Sequence, residues 1–388
     1  MQKLYLIKSL APWMMEELII FSQFTKFRIV FLRRIPDFYK KDIQILKQNG
    51  IEIYIRPFDF KLKLKSVFYF IGMILKNIKK FIGFQDFSWT IMSMNWFLLI
   101  DEKVLKNINS VHAQFASQAA IIAYFIKKRY KIEYNFTFHA HDIYYKNHWF
   151  KDLVKEANKS FSISEYNINY IKNAFGVDKN QITLSRLGVK VPEVNSEKIQ
   201  LSDKCKLGFM SNLEEKKGIP YLMEAFKIIN EKYPNKFELL IAGSGDEQDF
   251  IDKFIADNAL SNSVKLLGRI RDEAKIKFFK DLDVFVLPSI KTKNDMDGIP
   301  VVLMEAISYS KPIISTNISG IPEICKNEQT GYLIEEKNTK QLVDAIEKIC
   351  NAKEKYDIFV KNSYTLAKEE YDLVKNSKNK MIEMGWLR

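Results

Sequence analysis

The chain has 388 residues, 47% of them hydrophobic, and a formal net charge of +13. That length supports two domains of ordinary size, each with its own core, and that composition excludes a disordered or collagen-like chain. Three cysteines, Cys205, Cys325 and Cys350, are far apart in sequence and show neither metal-site spacing nor a disulfide framework, which favours a reducing compartment.

The charge is uneven. Residues 1–190 carry 30 Lys/Arg against 15 Asp/Glu, and residues 191–388 carry 30 against 32, so the basic excess lies in the first half. A basic half of this kind fits an anionic membrane, a nucleic acid or plain solvation. The longest uncharged apolar run, Phe87 to Ile100, has fourteen residues. A membrane span needs about 20, so no transmembrane helix is expected. Leu4 to Ile7 is too short for the apolar region of a secretory signal, and Lys8 interrupts it.

In chain order, residues 3–7 and 28–32 read as strands around an amphipathic helix from Met14 to Gln23. A helix from Asp42 to Gln48 stops at Gly50, and Ile51–Ile55 is a strand. Ala11-Pro12-Trp13 follows the first strand. Lys61 to Ile100 interleaves Lys61, Lys63, Lys65, Lys76, Lys79 and Lys80 with bulky apolar residues such as Phe68, Phe70, Trp89 and Trp96. The pattern fits an interfacial helix on an anionic bilayer, or a helix with its apolar face in the core and its lysines in water. We expect the former. Nucleic acid is not expected, because no nucleic-acid module is visible and the aromatics fall at core-like spacing.

Ser110–Ala116 reads as a strand entering a helix from Ser117 to Tyr130. A β-rich run from Tyr134 ends at His139 and continues as a polar loop, Ala140-His-Asp-Ile-Tyr144. All four histidines, His112, His139, His141 and His148, lie within residues 112–148, but without zinc-site spacing, so no metal site is expected. His141 and His148 read as surface or supporting residues. A strand at Phe161–Ser164 and a helix from Asn167 to Phe175 follow. The polar, turn-rich stretch 190–205 reads as a linker.

The second half restarts the strand–helix alternation. Lys206–Met210 is a strand, and the loop Ser211 to Gly218 leads into a helix from Ile219 to Glu231. Phe237–Ile241 is a buried strand followed by Gly243-Ser-Gly245, which lets backbone approach a ligand closely. Val264–Leu267 is another strand, followed by Gly268-Arg-Ile270. A helix from Lys275 to Asp281 precedes the apolar run Val284–Ser289 and a charged loop. Then comes Asp297-Gly-Ile-Pro-Val-Val-Leu-Met-Glu305, and a strand at Ile313–Thr316. Gly298 and Pro300 break the chain just before a helix starting near Val301. Its free N–H groups and positive dipole end suit a phosphate. Asp297 and Glu305 both fall near the carboxyl edge of a parallel sheet, where such sheets bind ligands. Helices from Tyr356 to Leu387 close the chain.

The segment from Asp297 to Glu305, with Lys311-Pro-Ile-Ile-Ser-Thr316, Gly320-Ile-Pro-Glu323 and Gly331-Tyr-Leu333, resembles the signature of retaining glycosyltransferases of family 4. Thr137-Phe-His139-Ala-His-Asp142-Ile-Tyr144 is similar to members that build capsular or exopolysaccharide chains. The resemblance implies an α/β GT-B fold, two Rossmann-like doubly wound domains facing across a cleft. Residues 1–195 would form the acceptor-side domain and 196–365 the donor domain, with 366–388 a helix crossing back. It implies transfer of a sugar from a nucleoside-diphosphate sugar to a saccharide, lipid-linked acceptor in surface polysaccharide biosynthesis, with retention, without metal or other cofactor. The protein would be cytoplasmic and peripheral on the inner face of the plasma membrane.

By the same resemblance, Glu305 would hold a ribose hydroxyl pair, Asp297 the sugar hydroxyls, and His139 would sit near the transferred sugar. Lys217 and the helix N-terminus at Gly298, Ile299, Pro300 and Val301 would hold the diphosphate. Gly243, Arg269 and Ile270 would line the donor site, with Arg269 and Ile270 at the base. The family's loop arginine is Asn212 here, so either Arg269 or Arg271 supplies the missing guanidinium or the affinity for diphosphate is lower. The family's first acid, usually Glu, is Asp297, and its usual glycine-rich loop is replaced by Ala11-Pro12-Trp13. The alternatives are a nucleotide-sugar epimerase or hydrolase on the same fold, and a non-catalytic binding subunit.

Overall fold

A computed structural model describes residues 2–55, 71–72, 75, 84–100, 102–144, 147–195, 199–293 and 295–388. The chain forms two compact units. The first comprises Met1–Leu187 with Leu373–Arg388, and the second Gly188–Asp372.

The first unit is built on seven parallel strands: β1 (Gln2–Ile7), β2 (Arg28–Phe31), β3 (Glu52–Ile55), β4 (Ile108–Gln114), β5 (Glu133–Phe138), β6 (Lys159–Ser162) and β7 (Ile182–Leu184). Their order in the sheet is β3-β2-β1-β4-β5-β6-β7, so the winding reverses between β1 and β4. Helices cover both faces, and most residues of the central strands are buried, as in a doubly covered parallel sheet, though His112, Gln114, Asn135 and Thr137 are polar. Helix limits follow local chemistry. Pro12 opens the helix Pro12–Phe24, where its missing N–H costs nothing. Ser164 caps the helix Glu165–Phe175 by accepting from Asn167 N, and left-handed Gly176 ends it.

Two expectations are corrected here. His139 is followed by a short helix, Ala140–Tyr144, rather than a loop, because the Asp142 carboxylate accepts from His139 N at 2.9 Å and closes the turn. Within the basic-aromatic segment, the helix Phe84–Leu99 places Met94 and Phe97 in the core, with Trp89 and Trp96 packed against it. Phe97, Trp89 and Trp96 therefore face the core. The rest of that expectation, residues 61–83, lies outside the described residues apart from Ile71, Gly72 and Leu75. Among the described residues, no helix is long and apolar enough to cross a membrane.

The last helix, Leu373–Glu383, packs on the first. Lys380 Nζ lies 2.9 and 3.0 Å from the two Glu17 oxygens, with both residues buried. The Trp386 ring, just beyond, meets Tyr5, Phe21 and Phe27.

The second unit holds six parallel strands: β8 (Cys205–Met210), β9 (Phe237–Ala242), β10 (Val264–Gly268), β11 (Val284–Leu287), β12 (Ile313–Thr316) and β13 (Gly331–Ile334). Their order, β10-β9-β8-β11-β12-β13, reverses between β8 and β11. Every residue of β9, β11 and β12 is buried. The helix before β11 begins at Asp272 rather than Lys275, since Asp272 and Glu273 suit its positive end. Cys205 and Cys350, distant in sequence, meet at an Sγ–Sγ separation of 2.8 Å, both as free thiols.

Candidate functional site

In a doubly wound sheet the loops beyond the carboxyl ends diverge at the reversal point and leave a crevice for ligand. In the second unit that point lies between β8 and β11. The loop after β8 supplies Lys217 and the loop after β11 supplies Ser289 and Asp297. Lys217 Nζ contacts both Asp297 oxygens, at 2.7 and 2.8 Å, and Ser289 Oγ donates to Asp297 Oδ2 at 2.7 Å. The two charged side chains are only 12% and 8% exposed. Asp297 is therefore a buried carboxylate that accepts three hydrogen bonds, not a turn residue in water. An ammonium has three N–H groups, so two facing Asp297 leave one for a ligand.

Close backbone approach makes this arrangement possible. Gly218, at φ 67°, ends the first loop, and a Cβ there would lie 1.9 Å from Pro288 O. Gly243, at φ 147°, would place a Cβ 1.9 Å from Ser211 O. Ile290 N donates to Lys216 O at 2.8 Å, and Lys216 Nζ pairs with Asp295 at 2.7 Å, so the two loops are laced together.

After Asp297 the chain passes half-buried Gly298, buried Ile299 and half-buried Pro300 into the helix Val301–Ser308. Pro300 occupies the cap position and no side chain caps the helix; Leu303 N donates to Pro300 O at 3.0 Å, which leaves the N–H groups of Val301 and Val302 as the donors this end can offer. Glu305, one turn in, pairs with Lys275 at 2.6 Å. Arg269 is exposed, its Nε donating to Ser244 Oγ beside Gly243, and Ile270 follows it half-buried. Asn212 is exposed and donates to Glu214 Oε1 at 3.2 Å. The second unit thus brings Lys217 to Asp297 and Arg269 to the glycine turn, each at a strand's carboxyl end. Sequence reasoning missed Ser289 and Lys275. Ser289 had a signal, a serine closing a buried apolar run. Lys275 had none, as one of several lysines on a surface helix.

His139 belongs to the first unit, at the carboxyl end of β5. It is 8% exposed. Its ring lies between Trp13 and Phe115, with centroids 5.1 and 4.7 Å away. Trp13 comes from the stretch that replaces a glycine-rich loop, so an aromatic wall stands there instead of open backbone. Burial, assisted by the charge of Lys380, lowers the His139 pKa to about 3, so the ring is neutral near pH 7. Burial pushes Asp142 up to about 7 against the N–H groups of His139 and Ala116. His112 is buried within the sheet, 3.2 Å from Thr137 Oγ1, and is a core residue. His141 is exposed and His148 half-buried.

The architecture, two doubly wound parallel α/β units, is the GT-B fold. Over 99% of its length the chain superposes on 98% of a glycosyltransferase from Rickettsia africae (TM-score 0.71, 17% identity). It also superposes, over the whole of both chains, on Anabaena HepE solved with UDP (TM-score 0.72, 15% identity). In sequence, residues 193–366 match the family model of glycosyl transferases group 1. The chain is 34% identical over 172 residues to the amylovoran biosynthesis glycosyltransferase AmsK of Erwinia amylovora. That match covers 44% of this chain and 42% of AmsK, so the chain spans less than half of that relative's length.

The Lys217–Asp297 pair makes a stability prediction. Breaking a buried pair strands one charge at a cost of about 3 kcal/mol. Chemical denaturation of Lys217→Met without ligand should show a loss of that order, and adding Asp297→Asn should recover part of it. Equal stability of wild type and Lys217→Met would mean the pair is solvated.

Proposed function

We propose that the protein is a retaining, metal-independent glycosyltransferase that moves a sugar from a nucleoside-diphosphate sugar to a lipid-linked saccharide in surface polysaccharide biosynthesis. The observation that carries the reading is the cluster of Lys217, Asp297 and Ser289 beside an uncapped helix N-terminus at the reversal point of the second sheet. The family match over 193–366 includes all three residues, and AmsK is named for amylovoran biosynthesis.

In this reading the donor's diphosphate lies against the helix N-terminus at Gly298–Val301 and the remaining N–H of Lys217. Arg269 stands in for the loop arginine replaced by Asn212. Glu305 exchanges Lys275 for the ribose hydroxyls, and Asp297 takes sugar hydroxyls while its charge holds Lys217 in place. As the glycosidic bond breaks, negative charge grows on the leaving diphosphate and the sugar becomes oxocarbenium-like. Fixed positive groups at the diphosphate lower that barrier, because they are already oriented when the charge appears. The acceptor hydroxyl attacks from the face the diphosphate leaves, and a departing phosphate oxygen takes its proton. His139 would meet the transferred sugar as a neutral hydrogen-bonding group rather than as a base.

Product analysis tests this. Incubation with nucleoside-diphosphate sugars and lipid-linked saccharide acceptors should give a glycoside with the donor's anomeric configuration, and a metal chelator should leave the rate unchanged. Donor consumed at the same rate without acceptor would identify a hydrolase or epimerase instead. Bound nucleotide without turnover on any acceptor would identify a binding subunit.

A lipid-linked acceptor places the reaction at a membrane surface, which fits the basic excess of residues 1–190. We place the protein on the cytoplasmic face of the plasma membrane, held by charge. Sedimentation with anionic vesicles should carry the protein down at low salt and release it at high salt. Binding that ignores salt, or no binding, would overturn the docking.

A further inference from the structure

A line of buried polar groups runs from the last helix to His139, and the proposed chemistry uses only its far end. Lys380 Nζ pairs with both oxygens of Glu17. Tyr5 Oη lies 3.2 Å from Glu17 Oε2 and 2.8 Å from Gln114 Oε1. Gln114 Nε2 lies 2.7 Å from His139 Nε2. Tyr5, Gln114 and His139 sit at or beside β1, β4 and β5, around the point where the first sheet reverses. Lys380, Glu17, Tyr5, Gln114 and His139 are all buried. Every group here therefore needs a partner inside the protein.

The donor and acceptor roles along this line are not independent. A phenol has one proton, and Tyr5 stands between two acceptors. If it donates to Gln114 Oε1, the Gln114 amide N–H must point at His139, which then accepts at Nε2 and carries its proton on Nδ1. If it donates to Glu17 instead, Gln114 turns over, its oxygen faces the ring, and His139 carries its proton on Nε2. Two features favour the first state. The Tyr5–Gln114 distance is the shorter, and Lys380 already compensates the Glu17 carboxylate, which weakens its pull on the phenol. Tyr5 keeps its proton throughout, since burial and then Glu17 raise its pKa well above the ordinary value.

We propose that Gln114 is a positioning residue for His139, and that Lys380 sets its direction through Glu17 and Tyr5, so that the imidazole offers an Nδ1–H donor to the transferred sugar. This rests on the reading that His139 meets that sugar. Trp13 and Phe115 hold the ring plane, and Gln114 fixes which nitrogen carries the hydrogen. The hydrogen matters because a sugar hydroxyl can donate or accept, whereas an imidazole nitrogen does one or the other. A ring that keeps Nδ1–H accepts no proton there, in agreement with its role as a neutral contact. The last helix then has a function beyond packing, since it carries the charge that orients the line.

The tautomer is read directly by two-bond proton–nitrogen NMR correlations on protein labelled at histidine. The chain has four histidines, and His139→Ala identifies the signal. Wild type should show His139 protonated on Nδ1, and Gln114→Glu, measured at a pH where the introduced carboxylate is ionised and presents only acceptors to the ring, should move the proton to Nε2. In the same variant kcat should fall at least tenfold with the KM for donor unchanged. Tyr5→Phe frees Gln114 to turn over and should give a mixture of both tautomers, so the test survives if Gln114→Glu does not fold. An Nε2-protonated ring in wild type would overturn the proposal without reference to any substrate. A moved proton with unchanged kcat would also overturn it, provided that His139→Ala is inactive. A fully active His139→Ala would instead overturn the reading of His139 itself.

Discussion

The site in the second unit depends on one interaction, the buried ion pair between Lys217 and Asp297. The two residues come from loops that leave neighbouring strands in different directions. Nothing in the sheet's hydrogen bonding would keep those loops together. The pair does so with Ser289 as a third partner, beside the Ile290 N–Lys216 O hydrogen bond and the Lys216–Asp295 pair, and Gly218 allows the backbones to close. Burying two charges is costly, and the gain from their attraction seldom exceeds that cost. The pair is better understood as preorganisation. It holds an ammonium with one N–H to spare next to a helix N-terminus, where an anionic group can join without rearranging the loops.

The first unit solves a similar problem with different chemistry. There the reversal point between β1 and β4 is lined mainly by hydrogen bonds and aromatic rings, with the Asp142 carboxylate accepting from His139 N. The buried pair of Lys380 with Glu17 reaches His139 through Tyr5 and Gln114. Such a line leaves the imidazole neutral and fixed in plane. In the proposed reading the second unit's edge takes the diphosphate, and the first unit's edge a polar, uncharged partner such as a sugar.

Much of this was legible in the sequence. Apolar runs of four to six residues alternating with helix-period segments defined the parallel sheets, Gly243 and Gly245 marked a turn of close backbone approach, and Gly298 marked the break before a helix. Asp297 and Glu305 were visible by spacing and by resemblance to a known signature. Their partners were not. Ser289 and Lys275 are common residue types whose role exists only once strands are laid side by side. Gln114 and Tyr5 lie 109 positions apart and Glu17 and Lys380 lie 363 apart, so no local pattern links them. Cys205 and Cys350 likewise read as unrelated and lie in contact. Trp89, Trp96 and Phe97 misled for a simpler reason, since an apolar helix face looks the same whether it meets lipid or core.

Binding of free nucleotides tests the central claim, that the second unit holds a nucleoside diphosphate through these residues. Thermal unfolding would be followed with UDP, GDP, ADP and CDP for wild type and for Glu305→Ala. Ligand at about 100 times its dissociation constant adds roughly 2.7 kcal/mol of stability, a shift of a few degrees at this chain length. The account predicts that one diphosphate raises the wild-type transition by that amount and leaves Glu305→Ala nearly unmoved. No shift with any diphosphate, or an equal shift in both proteins, would contradict it.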